Sequence, residues 1–153
     1  MTMPRPSFDS TVRLAIQRAF IDGRPTPTPT SIARDVGAGV AEVSAAFDRL
    51  ADGRVIVLTA GTRDIMMSAP FAAQPTDFTV TVAGRAHYAN CIWDALGVAA
   101  MMNADADVMT RCSDCELSLA ITVRNGAASA TPAGCVAHFA VPAARWWPNI
   151  AYT

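Results

Sequence analysis

The spacing of apolar residues changes from a helical to a strand-like period near residue 68, and this change limits the possible folds more than any other feature. Before it, apolar residues recur every three or four positions over 10–21 and 40–50, as on one face of a helix. After it, apolar and polar residues alternate over 78–82, as in a strand with one buried face. The pattern therefore predicts an α+β protein, with an N-terminal domain over 1–68 and a mixed domain over 69–153 that contains an antiparallel sheet.

The N-terminal domain shows the element order of a winged-helix module. Its first helix has Asp9 or Ser10 as the expected cap, and the Pro-Thr run over 25–30 after it is not expected to be helical. Helix, helix-turn-helix and hairpin in this order predict a winged-helix-like domain. The predicted elements are a helix over 10–21, a short helix capped by Thr30 or Ser31, a helix over 40–50 and a hairpin that pairs 55–58 with 65–67.

The last helix of this module lacks the side chains that read DNA. Such a helix needs Arg, Asn or Gln at base edges and basic residues for phosphates. Its exposed positions instead carry Glu42, Ser44 and Asp48 beside Arg49, and the formal net charge of the chain is −1. The sequence therefore predicts a structural or dimerising role for this domain and argues against a nucleic-acid partner.

The second domain combines one apolar helix with several strands. The helix is rich in Ala, Leu and Met, and the strands are separated by turns that contain Gly or Pro. Such a mixture predicts a helix packed against an antiparallel sheet. The predicted elements are a helix over 90–102 and strands over 78–82, 108–110, 117–123 and 136–141.

Composition excludes two classes of protein. With 52% hydrophobic residues and a net charge of −1, the chain is expected to fold rather than to be disordered. The most apolar stretch, 91–102, contains Asp94 and is too short to cross a bilayer. The N-terminus lacks the apolar segment of a signal peptide, so we expect a cytoplasmic protein whose four cysteines are free thiols.

Cys91 and Asp94 form the first candidate reactive pair. Residues three apart on a helix lie on the same face, so the Cys91 thiol and the Asp94 carboxyl are expected to be neighbours. With Asn90 as the cap, Cys91 falls in the first turn, where the helix dipole favours a thiolate. A single cysteine in an apolar helix is more often structural, so the pair alone does not establish chemistry.

Cys112 and Cys115 form a C-x-x-C pair, the second candidate site. Such a pair usually supplies half of a tetrahedral zinc site and needs two further ligands. The remaining candidates, Cys91, Cys135, His87 and His138, show no second pair at metal-ligand spacing. The sequence leaves a structural zinc, two core thiols and an auxiliary thiol pair as alternatives.

Over most of its length the sequence resembles the alkylmercury lyase (organomercurial lyase) family. The Cys-x-x-Asp element alone is unspecific, but its combination with the other matching elements is characteristic of that family. Its front domain also resembles the family's N-terminal winged-helix-like domain. The elements that carry the resemblance are Asp64–Phe71, Gln74–Phe78, Tyr88–Leu96, Cys112, Pro132–Gly134, His138–Ala143 and Trp146–Trp147.

The resemblance implies cleavage of a carbon–mercury bond to a hydrocarbon and Hg(II). It matches Cys91 to the family's first catalytic cysteine, which holds the substrate mercury, and Asp94 to its catalytic aspartate, both on a helix. Cys112 matches a family cysteine that is regarded as structural. The implied partners are a small organomercury substrate and, as acceptor of Hg(II), external thiols or a mercuric reductase. No organic cofactor, membrane or nucleic acid is implied.

The resemblance also implies a difference from the family. A second catalytic cysteine of the family follows the segment that matches 145–152, and this sequence ends at Thr153, so a C-terminally shortened catalytic domain is expected. The alternative hypothesis is a non-catalytic thiol protein that binds a soft metal such as mercury or zinc, coupled to a regulatory winged helix. Cys115 and Cys135 match no catalytic residue of the family.

Overall fold

The computed structural model describes residues 6–139 and 141–150. The chain forms two compact units, Met1–Gln74 and Pro75–Thr153. The second unit contains the antiparallel sheet that the sequence predicts, so the α+β class is confirmed. Within the described residues, no helix is both long and apolar enough to cross a membrane.

The first unit is built from three helices and three short antiparallel strands. Its core is formed by the inward faces of the helices, and the Phe20 and Phe71 rings stack in it with centroids 5.6 Å apart. Val12, Ile16 and Phe47 are fully buried there, which accounts for the helical period of the apolar residues. The elements are α1 (Phe8–Ile21), α2 (Pro29–Val36), α3 (Val40–Asp52), β1 (Val57–Leu58), β2 (Ile65–Ser68) and β3 (Phe71–Ala72).

Two helices of this unit begin earlier than the sequence predicted. Ser7, rather than Asp9 or Ser10, caps α1 by accepting a hydrogen bond from the backbone of Ser10. Thr28, rather than Thr30 or Ser31, caps α2, and Pro29 is the first helical residue. Proline fits this position because its fixed φ is helical and the N–H that it lacks has no partner in a first turn. The last residues of the Pro-Thr run, from Pro29 onward, therefore form the first turn of α2.

The second unit is a five-stranded antiparallel sheet with one α-helix. The strand order is β5-β4-β6-β7-β8, and every neighbouring pair is antiparallel. Two short 3-10 helices, Ala143–Arg145 and Trp147–Asn149, follow the sheet. The elements are β4 (Phe78–Val82), β5 (Arg85–Ala89), α4 (Ile92–Met102), β6 (Ala106–Arg111), β7 (Ser118–Arg124) and β8 (Ala127–Thr131).

Helix α4 packs on strands β4, β5 and β6 through small apolar side chains. Ala95, Val98 and Ala99 are buried on the helix, and Val80 and Val108 are buried in the sheet. Small side chains let the helix approach the sheet closely, and removing this apolar surface from water stabilises the unit. This packing holds α4, which carries Asp94, on the sheet.

The predicted strand over 136–141 is wrong. Residues 136–139 lie in no helix or strand, Val136 is 87% exposed, and residue 140 lies outside the described residues. The chain instead forms β8 over Ala127–Thr131, which pairs with β7 by backbone hydrogen bonds. Because β8 is made of small, mostly exposed residues, its apolar pattern does not mark it as a strand. Strands β3 and β5 were also not predicted from the sequence.

The turn between β7 and β8 supplies a test of this register. Asn125 and Gly126 have φ values of 50° and 77°, the left-handed pair that a tight hairpin turn of this kind requires. We expect Gly126→Ala to lower the free energy of unfolding by about 1 kcal/mol, because an L side chain is strained at positive φ. Urea denaturation measures the change. Asn125→Gly is the control, because glycine adopts the left-handed conformation of residue 125 without strain. Equal destabilisation by both variants would contradict the assigned turn.

Candidate active site

The end of β5 is held in place by a side chain from the start of the same unit. The Thr76 hydroxyl donates a hydrogen bond to the Ala89 carbonyl, at 2.6 Å, and accepts one from the Phe78 backbone, at 3.1 Å. Phe78 also pairs with Ala89 across β4 and β5. The chain therefore leaves β5 at a fixed point, two residues before Cys91. This role of Thr76 was not predicted from the sequence, although the Pro75–Asp77 stretch before a strand is a typical turn signal.

Cys91 is itself the cap residue of α4, not a residue of its first turn. Its backbone is extended, with φ −152° and ψ 178°, and its carbonyl accepts a hydrogen bond from Ala95 at 2.9 Å. Its side chain makes no capping hydrogen bond, so the thiol is available for other contacts. The prediction of Asn90 as the cap is therefore wrong.

Asn90 instead ties the C-terminal segment to the start of α4. Its side-chain Nδ2 donates a hydrogen bond to the Ile150 carbonyl at 2.8 Å. The same segment is folded on itself, since Trp146 Nε1 donates to the Val141 carbonyl at 2.8 Å and the Trp146 ring lies 5.4 Å from that of Phe139. The residue next to Cys91 thus positions the end of the 141–150 segment.

The Cys91 thiol and the Asp94 carboxylate are in contact, as the sequence predicts. Cys91 Sγ donates a hydrogen bond to Asp94 Oδ2 at 3.7 Å, and both side chains are partly buried. A sulfur–oxygen distance of this length suits a thiol donor, because sulfur is larger than oxygen. The pair therefore places a labile proton between a soft nucleophile and a carboxylate.

Burial favours the protonated form of the Cys91 thiol. It raises the pKa of Cys91, and the charge of Asp94 adds to this effect, while the backbone N–H groups of Asp94 and Trp93 lower it. Burial also raises the pKa of Asp94, and the hydrogen bond from Cys91 lowers it. The expected thiolate is therefore not the resting state, since removal from water outweighs the helix N-terminus. The Cys91 sulfur instead carries a proton that it donates in a hydrogen bond to Asp94.

The remaining cysteines lie outside this pair. Cys112 and Cys115 lie in the turn between β6 and β7, and Cys135 Sγ donates to the Pro132 carbonyl at 3.0 Å. Backbone N–H groups of Cys115 and Asp114 lower the pKa of Cys112. Across the part of the chain that the structure describes, no three His, Cys, Asp or Glu side chains are grouped to hold a metal ion. The zinc site considered for Cys112 and Cys115 therefore has no further ligands among those residues.

Comparisons with known proteins agree on one family. The model of the family described as MerB, alkylmercury lyase, matches residues 71–153, more than half of the chain. Ten chains of solved structures match. One is the crystal structure of the mercury-bound form of MerB2, with a TM-score of 0.69 and 26% sequence identity. The match covers 83% of this chain and 61% of the MerB2 chain, so the present chain spans less than two thirds of the length of MerB2. No curated protein matches the chain.

The electrostatics of the pair predict the behaviour of an Asp94 variant. We expect Asp94→Asn to lower the pKa of the Cys91 thiol, because it removes the carboxylate charge and keeps the backbone N–H groups that favour the thiolate. The pH dependence of Cys91 alkylation by iodoacetamide, followed by mass spectrometry of the Cys91 peptide, measures this pKa. Asp77→Asn, at an exposed carboxylate, is the control. An unchanged or higher Cys91 pKa in Asp94→Asn would contradict the described contact.

Proposed function

The chain belongs to the alkylmercury lyase family, and we propose that it cleaves carbon–mercury bonds with Cys91 and Asp94 as the reacting groups. The observation that carries the proposal is the hydrogen bond from Cys91 Sγ to Asp94 Oδ2 at 3.7 Å. It joins a sulfur, the ligand that mercury prefers, to a carboxylate that takes and returns a proton. The match to the family disfavours the alternative of a non-catalytic metal-binding protein.

The first step is an exchange of ligands on the mercury of a small organomercury compound. Cys91 sulfur forms a bond to mercury, and the bond from mercury to the ligand that it arrived with, such as a small thiolate, breaks. The proton of the Cys91 thiol passes to Asp94 along their hydrogen bond. Asp94 is then a neutral carboxylic acid, the form that its burial favours.

The second step is proton transfer to carbon. Asp94 gives its proton to the carbon bound to mercury, and the electron pair of the carbon–mercury bond becomes the new carbon–hydrogen bond. A hydrocarbon leaves, Hg(II) stays on Cys91 sulfur, and Asp94 is again a carboxylate. The short path from sulfur to carboxylate matters because general acids act only within hydrogen-bond reach of the group that they protonate.

Release of Hg(II) completes the cycle. External thiols, or a mercuric reductase that presents thiols, take the metal from Cys91 by thiolate exchange, and the thiol is restored with a proton from solvent. We propose a cytoplasmic location, because reduced thiols are abundant there. The chemistry of the two side chains requires no organic cofactor.

The N-terminal unit has a separate proposed identity. We propose a winged-helix-like domain over 1–68 and a catalytic domain over 69–153. The order of α1, α2 and α3 followed by the β1–β2 hairpin supports the first assignment. On α3, Arg49 forms an ion pair with Asp9 and Asp48 forms one with Arg63, so these charges are engaged within the unit. This supports a structural role over contact with nucleic acid.

Turnover in active-site variants tests the proposal. With phenylmercury as substrate and excess small thiol, we expect the chain to release benzene. Cys91→Ser should abolish release, because an alcohol does not replace a thiolate on mercury. Asp94→Ala should slow it by about 10²-fold or more, the usual contribution of a general acid. Gas chromatography of the benzene measures both rates.

Cys135→Ser is the control, because Cys135 is exposed and its thiol donates to the Pro132 carbonyl of its own turn. Its rate should equal that of the unchanged chain. Two outcomes would overturn the proposed reaction: undiminished benzene release by Cys91→Ser, or no benzene release by the unchanged chain under the same conditions.

A further inference from the structure

Helix α4 carries an exposed aromatic ring in its first turn. Trp93 is 66% exposed, whereas Ala95 on the same helix is fully buried. Tryptophan side chains are mostly buried in folded proteins, because their large apolar surface is costly to leave in water. The packing of α4 on the sheet therefore does not account for Trp93, and its ring is accessible to a small molecule that binds at this end of the helix.

The Cys91 thiol lies at the same end of α4 as the Trp93 ring. Cys91 caps the helix, and its sulfur reaches over the first turn to Asp94 Oδ2, at 3.7 Å. The backbone N–H of Trp93 also faces this sulfur. Side chains on an α-helix tilt toward its N-terminus, so the Trp93 ring leans toward the end that Cys91 caps. The ring and the reactive pair therefore share the N-terminal end of α4.

Mercury bound at Cys91 brings the organic group of the substrate to this end of the helix. Two-coordinate mercury holds its sulfur and carbon ligands on opposite sides, so the carbon lies beyond the metal as seen from Cys91. In the proposed reaction the carbon also lies within reach of Asp94, which keeps the organic group over the first turn of α4. An apolar group in this place gains free energy by covering an exposed ring.

The shape of the organic group decides how much it gains from the ring. A phenyl group presents a face and an edge to the indole, and aromatic rings attract each other in offset or edge-to-face pairs. A methyl group has no ring and covers far less apolar surface. We propose that Trp93 is a specificity-determining residue, which contacts the organic group on mercury and favours aryl- over alkylmercury substrates. This inference rests on the proposed reaction at Cys91.

The ratio of kcat/KM for phenylmercury to kcat/KM for methylmercury tests this role. We expect Trp93→Ala to lower the ratio about 10-fold, because the variant loses an aromatic pair and the apolar surface that it covers. The loss should appear as a higher KM for phenylmercury, since the contact is present both before and during cleavage. Trp93→Phe keeps an aromatic ring and should retain most of the preference. Gas chromatography of benzene and methane, released in excess glutathione, measures the rates.

Met101→Ala is the matched control for the loss of an exposed apolar side chain from α4. Met101 is 41% exposed and lies about 15 Å from Cys91 along the helix. The preference of this variant for phenylmercury should equal that of the unchanged chain. An unchanged preference in Trp93→Ala, or an equal loss of activity on both substrates, would overturn the assignment, because an equal loss indicates a structural role.

Binding without cleavage separates this inference from the lyase proposal. Asp94→Asn, with and without Trp93→Ala, receives one equivalent of phenylmercury or methylmercury in excess glutathione, and native mass spectrometry measures the mercury retained. The retention by Cys91→Ser is subtracted, since it comes from the other thiols. We expect Trp93→Ala to lower the retention of phenylmercury relative to methylmercury about 10-fold. If the unchanged chain releases no hydrocarbon, the lyase proposal fails and this binding ratio alone decides the role of Trp93, which an unchanged ratio contradicts.

Discussion

The chemistry proposed for this protein depends on one hydrogen bond, from the Cys91 thiol to the Asp94 carboxylate, in a place partly removed from water. Burial raises the pKa of both groups, so the folded chain favours their neutral forms. In the proposed reaction, mercury takes the place of the proton on the Cys91 sulfur, so the sulfur carries no free charge. The proton passes to the Asp94 carboxylate. The same burial that disfavours charge therefore favours transfer of the thiol proton to Asp94 and keeps the carboxyl group protonated until the carbon takes the proton.

This arrangement opposes stability at neutral pH. The folded-state pKa of Asp94 is raised, so its contribution to stability is complete below the pKa of the unfolded chain and is lost as pH rises through the folded value. The rest of the second unit offsets that cost. The Thr76 hydroxyl fixes the end of β5, and buried Ala95, Val98 and Ala99 hold α4 on the sheet. Groups that burial shifts in this way are typical of functional sites.

The sequence was most informative where local spacing decides the outcome. The strand over 78–82 was predicted with its observed bounds, and so was the contact between Cys91 and Asp94, although Cys91 caps the helix and does not lie in its first turn. Strands β5 and β8 were not predicted, because their own residues carry little apolar pattern; the Asn125–Gly126 turn is a hairpin signal from which β8 could have been located. Long-range contacts, such as that of Asn90 with Ile150, cannot be read from local spacing. Neither can the pKa of Cys91, because it depends on burial by the whole unit.

Intact-protein mass spectrometry of Asp94→Asn after one equivalent of phenylmercury tests the central claim most directly. The variant keeps Cys91 and lacks the group that protonates carbon, so mercury binding and bond cleavage are separated. We predict a chain that carries the whole phenylmercury group on Cys91, whereas the unchanged chain carries mercury without the phenyl group. Mercury without the phenyl group in Asp94→Asn, formed as quickly as in the unchanged chain, would show that the proton does not come from Asp94.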